Sequence, residues 1–283
     1  MHQSCSLRVH ARRPVKYVAL LVCALLCAVA VRAQTTPPLA QATPPAPVQH
    51  TTPPAGSPSR VVLDFYQALR ERKFREAFAM SIWKPAIDGL TPAEFDELKP
   101  EFEKMAAAVP EQIEISGEQI SGDTATVFAR VGDEPSAQPE AIPLLRAGGV
   151  WVFGDRDKQA EVQRLGKEFF PTARIEQHHA EVEAILLRIA NAEASYTVTH
   201  GGVYADLPTL VDAKPSLHDD IESEDTLGYH FHLVVARDGR SYTVGAEPLR
   251  YGHTGRLSYY MDASGYKKKD TGGKPYTPSA KDK

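Results

Sequence analysis

The chain has 283 residues, enough for one large domain or two small ones, and at 42% hydrophobic and 24% charged its composition is ordinary for a globular protein. Its three cysteines (Cys5, Cys23, Cys27) all lie in the first 27 residues, which excludes a disulfide framework, a thiolate metal site and a cysteine nucleophile from the rest of the chain. Residues 1–33 hold five of the 32 basic residues and none of the 36 acids, so their removal would leave 27 against 36, a net −9, and argue against nucleic acid as a partner, because phosphate binding needs a basic face.

Those first 33 residues read as an export signal. Arg8, Arg12, Arg13 and Lys16 make a basic start, Tyr17 to Val31 is an uncharged, largely apolar run of 15 residues, and Val31-Arg32-Ala33 suits cleavage after Ala33. A spanning helix needs roughly 20 residues, so export to the periplasm or beyond is expected, with retention of residues 17–31 as a membrane anchor the alternative. Gln34 to Pro58 has eight prolines in 25 residues and no formal charge, and reads as a disordered linker. Extended as polyproline II it would reach roughly 75 Å at ~3.1 Å per residue, which suits a spacer as well as it suits a passive leader.

Folded structure is expected from Ser59 to Phe170. Val61, Val62, Phe65, Tyr66 and Leu69 recur at helical spacing behind Ser57 and Pro58, and Phe74, Ala77 and Phe78 continue in a second short helix. Thr91-Pro92-Ala93-Glu94 is a capping box, and Pro100 should kink or split the helix that follows. The period then becomes two. Ile113 and Ile115 alternate with polar residues, Ser121-Gly122-Asp123 is a turn, and Ala125, Val127, Ala129 and Val131 share one face of the next strand. Ile142 to Leu145 and Val150 to Phe153 read as two more strands, with Pro143 best tolerated on an edge, and Asp157 to Phe170 closes the unit as a helix. The segments VVLDFYQALRERKFREAFAMS, ISGEQISGDTATVFARV and LLRAGGVWVFGD resemble the nuclear transport factor 2-like superfamily. The resemblance implies a cone of helices wrapped by a curved antiparallel sheet; it implies no particular activity, since that superfamily holds both enzymes and non-catalytic domains.

A second unit is expected over residues 172–265, beginning where Pro171 interrupts the chain. Ile175, Val182, Ile189 and Tyr196 repeat every seven residues, with Ile185, Leu186 and Ala192 between them, so one long helix carries one apolar stripe and keeps Glu176, Glu181, Glu183 and Arg188 off it. Gly201-Gly202 ends the helix. Tyr229, Phe231, Leu233 and Val235 alternate inward, Asp238-Gly239 signals a hairpin, Tyr242, Val244 and Ala246 form the partner strand, and Leu257, Tyr259 and Met261 form a third. Residues 266–283, with Lys267-Lys268-Lys269, read as a disordered, solvated basic tail. The segment from Ala190 to Tyr196, then Tyr204 to Leu210, Gly228-Tyr229-His230-Phe231 and the run from Tyr260 to Gly265 resemble the periplasmic head of type IV pilins and type II secretion pseudopilins. That resemblance implies a long helix packed on a small antiparallel sheet. Pilins continue the helix upstream as a hydrophobic rod behind a peptidase site; here the upstream residues are polar, so a detached head is expected rather than a filament subunit. The fold class is therefore α+β throughout.

Two clusters bear on chemistry. His230 and His232 alternate on one strand and share the face opposite Tyr229 and Phe231, so with His253 or Asp238 as a third ligand they could bind zinc or copper; the plainer alternative is a solvated or partner-facing surface. His179 and Glu183 read as a helix-surface pair. In the first unit Tyr66, Trp83, Phe128 and Trp151 are candidate lining residues of a pocket, with Asp64 as a possible buried base, against the plainer reading of aromatic core packing with Asp64 in solvent. Nucleophile-elbow, phosphate-loop, dinucleotide and zinc-helix motifs are lacking, so no cofactor is implied. The sequence thus leads to an exported, non-enzymatic protein with a binding or assembly role at the bacterial cell envelope, where its partners would be envelope proteins. The alternative is a small-molecule-binding or catalytic cone with a docking module.

Overall fold

The computed structural model describes residues 53–132, 139–213, 217 and 225–279; residues 1–33, expected as an export signal, and most of the expected proline-rich linker lie outside them. The fold is α+β, with two antiparallel sheets and one long helix. None of the described helices is long and apolar enough to cross a membrane. The chain divides into two units between Lys167 and Glu168.

In the first unit, helix α1 (Pro58–Arg70) starts where sequence capping rules place it: the Ser57 side chain accepts from the Arg60 N–H and Pro58 is the first helical residue. Its buried face holds Val62, Phe65, Tyr66 and Leu69. Helices α2 (Phe74–Ala79) and α3 (Lys84–Asp88) follow. Helix α4 (Pro92–Glu97) opens on the capping box, in which Thr91 and Glu94 satisfy each other's backbone N–H groups. Helix α5 (Lys99–Ala108) is separate from α4 because Pro100 lies in its first turn, where a missing N–H breaks no helical bond. Strands β1 (Ile113–Ser121), β2 (Thr124–Val131), β3 (Glu140–Ala147) and β4 (Val150–Phe153) then form one sheet in that order. Pro143 is on an inner strand rather than an edge. It sits where the β4 pairing has run out, and its carbonyl accepts from Gly154 N–H at 3.0 Å.

The boundary between the units is shifted from the expected one. Helix α6 (Arg156–Leu165), capped by Asp155, stops at Gly166, whose φ of 54° is left-handed. After a single 3-10 turn, helix α7 runs from Phe169 to Thr199, 31 residues, so Phe169 and Phe170 belong to the second unit. Pro171 does not interrupt it: it is the third residue of α7, among the four whose N–H groups have no helical acceptor anyway. The helix ends as expected, with Gly201 and Gly202 at φ 69° and 78° and the Gly202 N–H returning to Thr197 O at 2.9 Å.

Helix α8 (Leu207–Ala213) leads to a five-stranded antiparallel sheet in sequential order: β5 (Asp225–Thr226), β6 (Tyr229–Val235), β7 (Tyr242–Pro248), β8 (Leu257–Asp262) and β9 (Gly265–Asp270). The core of this unit joins Val182, Ile185, Leu186, Ile189 and Ala192 of α7 to Tyr229, Phe231, Val244, Ala246, Tyr259 and Met261 of the sheet. Strand β9 corrects the expected disordered tail. Lys267 pairs with Tyr260, Lys268 with Tyr259 and Lys269 with Ser258. A lysine-rich strand at a sheet edge discourages further strand addition.

Candidate functional site

The candidate pocket of the first unit is filled by its own rings. Phe65 and Phe153 stack at 4.2 Å between centroids, and Tyr66 and Trp83 lie 5.8 and 6.1 Å from the same Phe153 ring. Tyr66 and Trp83 are buried, and Trp151 is buried with the Arg146 guanidinium 4.8 Å above its ring. The Trp83 Nε1 has no hydrogen-bond partner among the described residues. Two expected members are elsewhere. Phe128 is on the outer face of β2 and exposed, because it is out of phase with the buried Ala125, Val127 and Ala129. Asp64 is on the solvated side of α1 in an i,i+4 ion pair with Arg60 at 2.8 Å, so it is no buried base.

In the second unit, antiparallel pairing brings the polar groups of β5, β6 and β7 into one row. His230 is opposite Asp225 on one side and Glu247 on the other, and His232 is opposite Gly245. All of these are on the sheet face opposite to Tyr229 and Phe231, which are buried against α7. The imidazoles of His230 and His232 lie 6.0 Å apart at 29°. Donor atoms of His230, His232 and Glu247 lie within 4.8 Å of one another. The third member is thus Glu247, not His253 or Asp238: His253 lies in the turn closed by the Arg250 carbonyl, and the donor group does not include it. Residues 230 and 247 are joined only by strand register, which is why sequence reading missed Glu247.

Local structure fits this cluster to two imidazoles. Asp225 Oδ1 is 2.6 Å from His230 Nδ1 and fixes that ring. A Cβ at position 245 would lie 2.2 Å from His232 Nε2, so only glycine leaves room for the ring. The Glu247 side chain is 16% exposed, and its Oε2 is buried with no hydrogen-bond partner among the described residues. His232 Nδ1 is 3.6 Å from that oxygen, too long for a hydrogen bond.

His179 and Glu183 are not a surface pair. They face the sheet. His179 Nε2 accepts from the N–H groups of Arg256 at 3.1 Å and Leu257 at 3.3 Å, and burial, with the nearby Lys268 charge, lowers its pKa. Glu183 accepts from Tyr266 Oη and from Lys268 Nζ, both at 2.7 Å. Burial alone would raise its pKa, but these two donors outweigh burial and lower it. The same helix carries Glu193, fully buried, a residue that sequence reading passed over. Its Oε2 accepts from Ala205 N–H at 3.1 Å and its Oε1 has no partner among the described residues. Burial, with a smaller push from Asp206, raises its pKa to about 7.

With this geometry in hand, comparison with protein-family models, with curated proteins and with solved structures finds no match for the chain.

Proposed function

We propose that the chain is an exported, non-enzymatic protein with a binding or assembly role at the bacterial cell envelope, docked beside pilus or secretion machinery. The observation that carries this reading is the second unit. The apolar stripe of a 31-residue helix packs on the unit's own five-stranded sheet, which supports the reading as a detached pilin-type head. Around Ile175 the same helix carries Arg174, Glu176, Gln177 and His178, where a filament-forming pilin would carry an apolar rod. Charges of that kind would cost several kcal/mol each to desolvate in a filament core. Contacts would therefore be lateral, through the sheet or the segment 204–227. The first unit supports the same reading, since its interior is occupied by Phe65, Tyr66, Trp83 and Phe153.

A second reading, a small-molecule-binding cone, is favoured by one atom, the buried and unpartnered Trp83 Nε1. Two measurements test the pair of readings. Cell fractionation with mass spectrometry of the mature N-terminus should give an exported chain beginning at Gln34, and light scattering of that chain should give a monomer or small oligomer with or without calcium. Filaments in electron micrographs, or a chain kept in the cytoplasm, would overturn the first reading; tryptophan emission that shifts on exposure to envelope small-molecule extract would favour the second.

A further inference from the structure

We propose that His230, His232 and Glu247 form a zinc site on the outer face of the second unit's sheet. Two imidazoles and one carboxylate are a donor set suited to zinc, leaving a fourth position for water or for a side chain of a partner. The three donor atoms lie within 4.8 Å of one another, against ~3.3 Å between ligands around a tetrahedral ion bound at ~2.0–2.1 Å. The His232–Glu247 pair, at 3.6 Å, is already close to that separation. The remaining contraction falls to His230 and His232, whose side chains are 39% exposed and have room to turn.

Three independent features prepare the site. Asp225 Oδ1, 2.6 Å from His230 Nδ1, fixes the imidazole as an outer carboxylate does that orients a zinc-bound histidine. Gly245 leaves the space that the His232 ring occupies. Glu247 keeps a carboxylate oxygen buried without a hydrogen-bond donor among the described residues, a state that costs free energy and that a cation would relieve. His232 Nδ1 stands 3.6 Å from that oxygen, within ion-pair distance but beyond a hydrogen bond. The site does not depend on the envelope role proposed above.

The test is zinc(II) titration of the untagged full-length chain in competition with a chromophoric chelator. Cys5, Cys23 and Cys27 are replaced by serine in every arm so that no thiolate contributes. One zinc per chain is expected. Glu247→Gln and His232→Ala should each weaken binding by at least about tenfold, and Asp225→Asn by about 10–100-fold through misorientation of His230. His253→Ala should leave affinity unchanged. Cobalt(II) should give the visible bands of a tetrahedral site in the parent chain and lose them in Glu247→Gln. Circular dichroism confirms that each variant is folded. Binding that survives Glu247→Gln and His232→Ala, or that falls with His253→Ala instead, would overturn the assignment, as would the absence of stoichiometric binding by the parent chain.

Discussion

Replacing Glu193 by glutamine should change how the second unit's stability depends on pH. Glu193 is fully buried in the core face of α7 and its pKa is about 7 in the folded chain. Its folded pKa is raised above its unfolded value, so the folded state holds the extra proton; the carboxylic acid is tolerated at low pH, and stability is lost as pH rises from about 4.5 to about 7. At ~1.36 kcal/mol per pH unit the ceiling of that loss is about 3 kcal/mol, of which roughly 2.5 kcal/mol falls between pH 5 and pH 8. Glutamine keeps a carbonyl for the Ala205 N–H and does not ionise. Its amide adds a donor without a partner, which subtracts a pH-independent ~1–3 kcal/mol, so the informative quantity is the change in the difference between the two proteins. Urea unfolding at pH 5, 6, 7 and 8 measures it. Trp83 and Trp151 are both in the first unit and most tyrosines are in the second, so tryptophan emission serves as an internal control while tyrosine circular dichroism follows the second unit. The advantage of Glu193→Gln should grow by roughly 2.5 kcal/mol from pH 5 to pH 8. A difference flat to within about 0.5 kcal/mol would mean that Glu193 ionises normally, and would refute the reasoning.

Tyr229 donates to the Leu257 carbonyl at 3.0 Å, and a Cβ at Gly255 would lie 1.9 Å from its oxygen. Gly255→Ala should therefore cost about 1–3 kcal/mol in urea unfolding, more than the ~1 kcal/mol of Tyr229→Phe; the reverse order would mean that the loop yields freely. The folded pKa of His179 lies below its ordinary 6.5, so its contribution is present above that pH and lost as pH falls through it. Hydrogen-exchange protection of the Arg256 and Leu257 amides, its two donors, should fall below about pH 6.5, and His179→Ala should abolish that dependence. Thr91→Ala removes half of the capping box and should lower the stability of the first unit by ~1 kcal/mol, read from tryptophan emission during urea unfolding, with no change in the second.

How much of this was legible in the sequence follows from the range of the interactions. The capping box at Thr91, the Gly201-Gly202 stop and the alternation of Tyr229, Phe231 and Leu233 are local, because side-chain period and turn chemistry act within a few residues. The exposure of Phe128 was equally readable, since its parity is opposite to that of Val127. Glu193 falls on the α7 stripe, four residues after Ile189, so helical spacing points inward there although charged residues are seldom fully buried. Strand β9 was missed because an edge strand gains its place from backbone pairing with β8, which Lys267, Lys268 and Lys269 neither help nor forbid. By itself, then, the sequence determined the α+β class, the long helix and the order of most strands. Only the tertiary structure decided that Asp225, His230 and Glu247 share one row, that His253 stands apart from it, and that Glu193 is sealed from water. Those outcomes depend on strand register and core packing between residues distant in the chain, which local propensity does not encode.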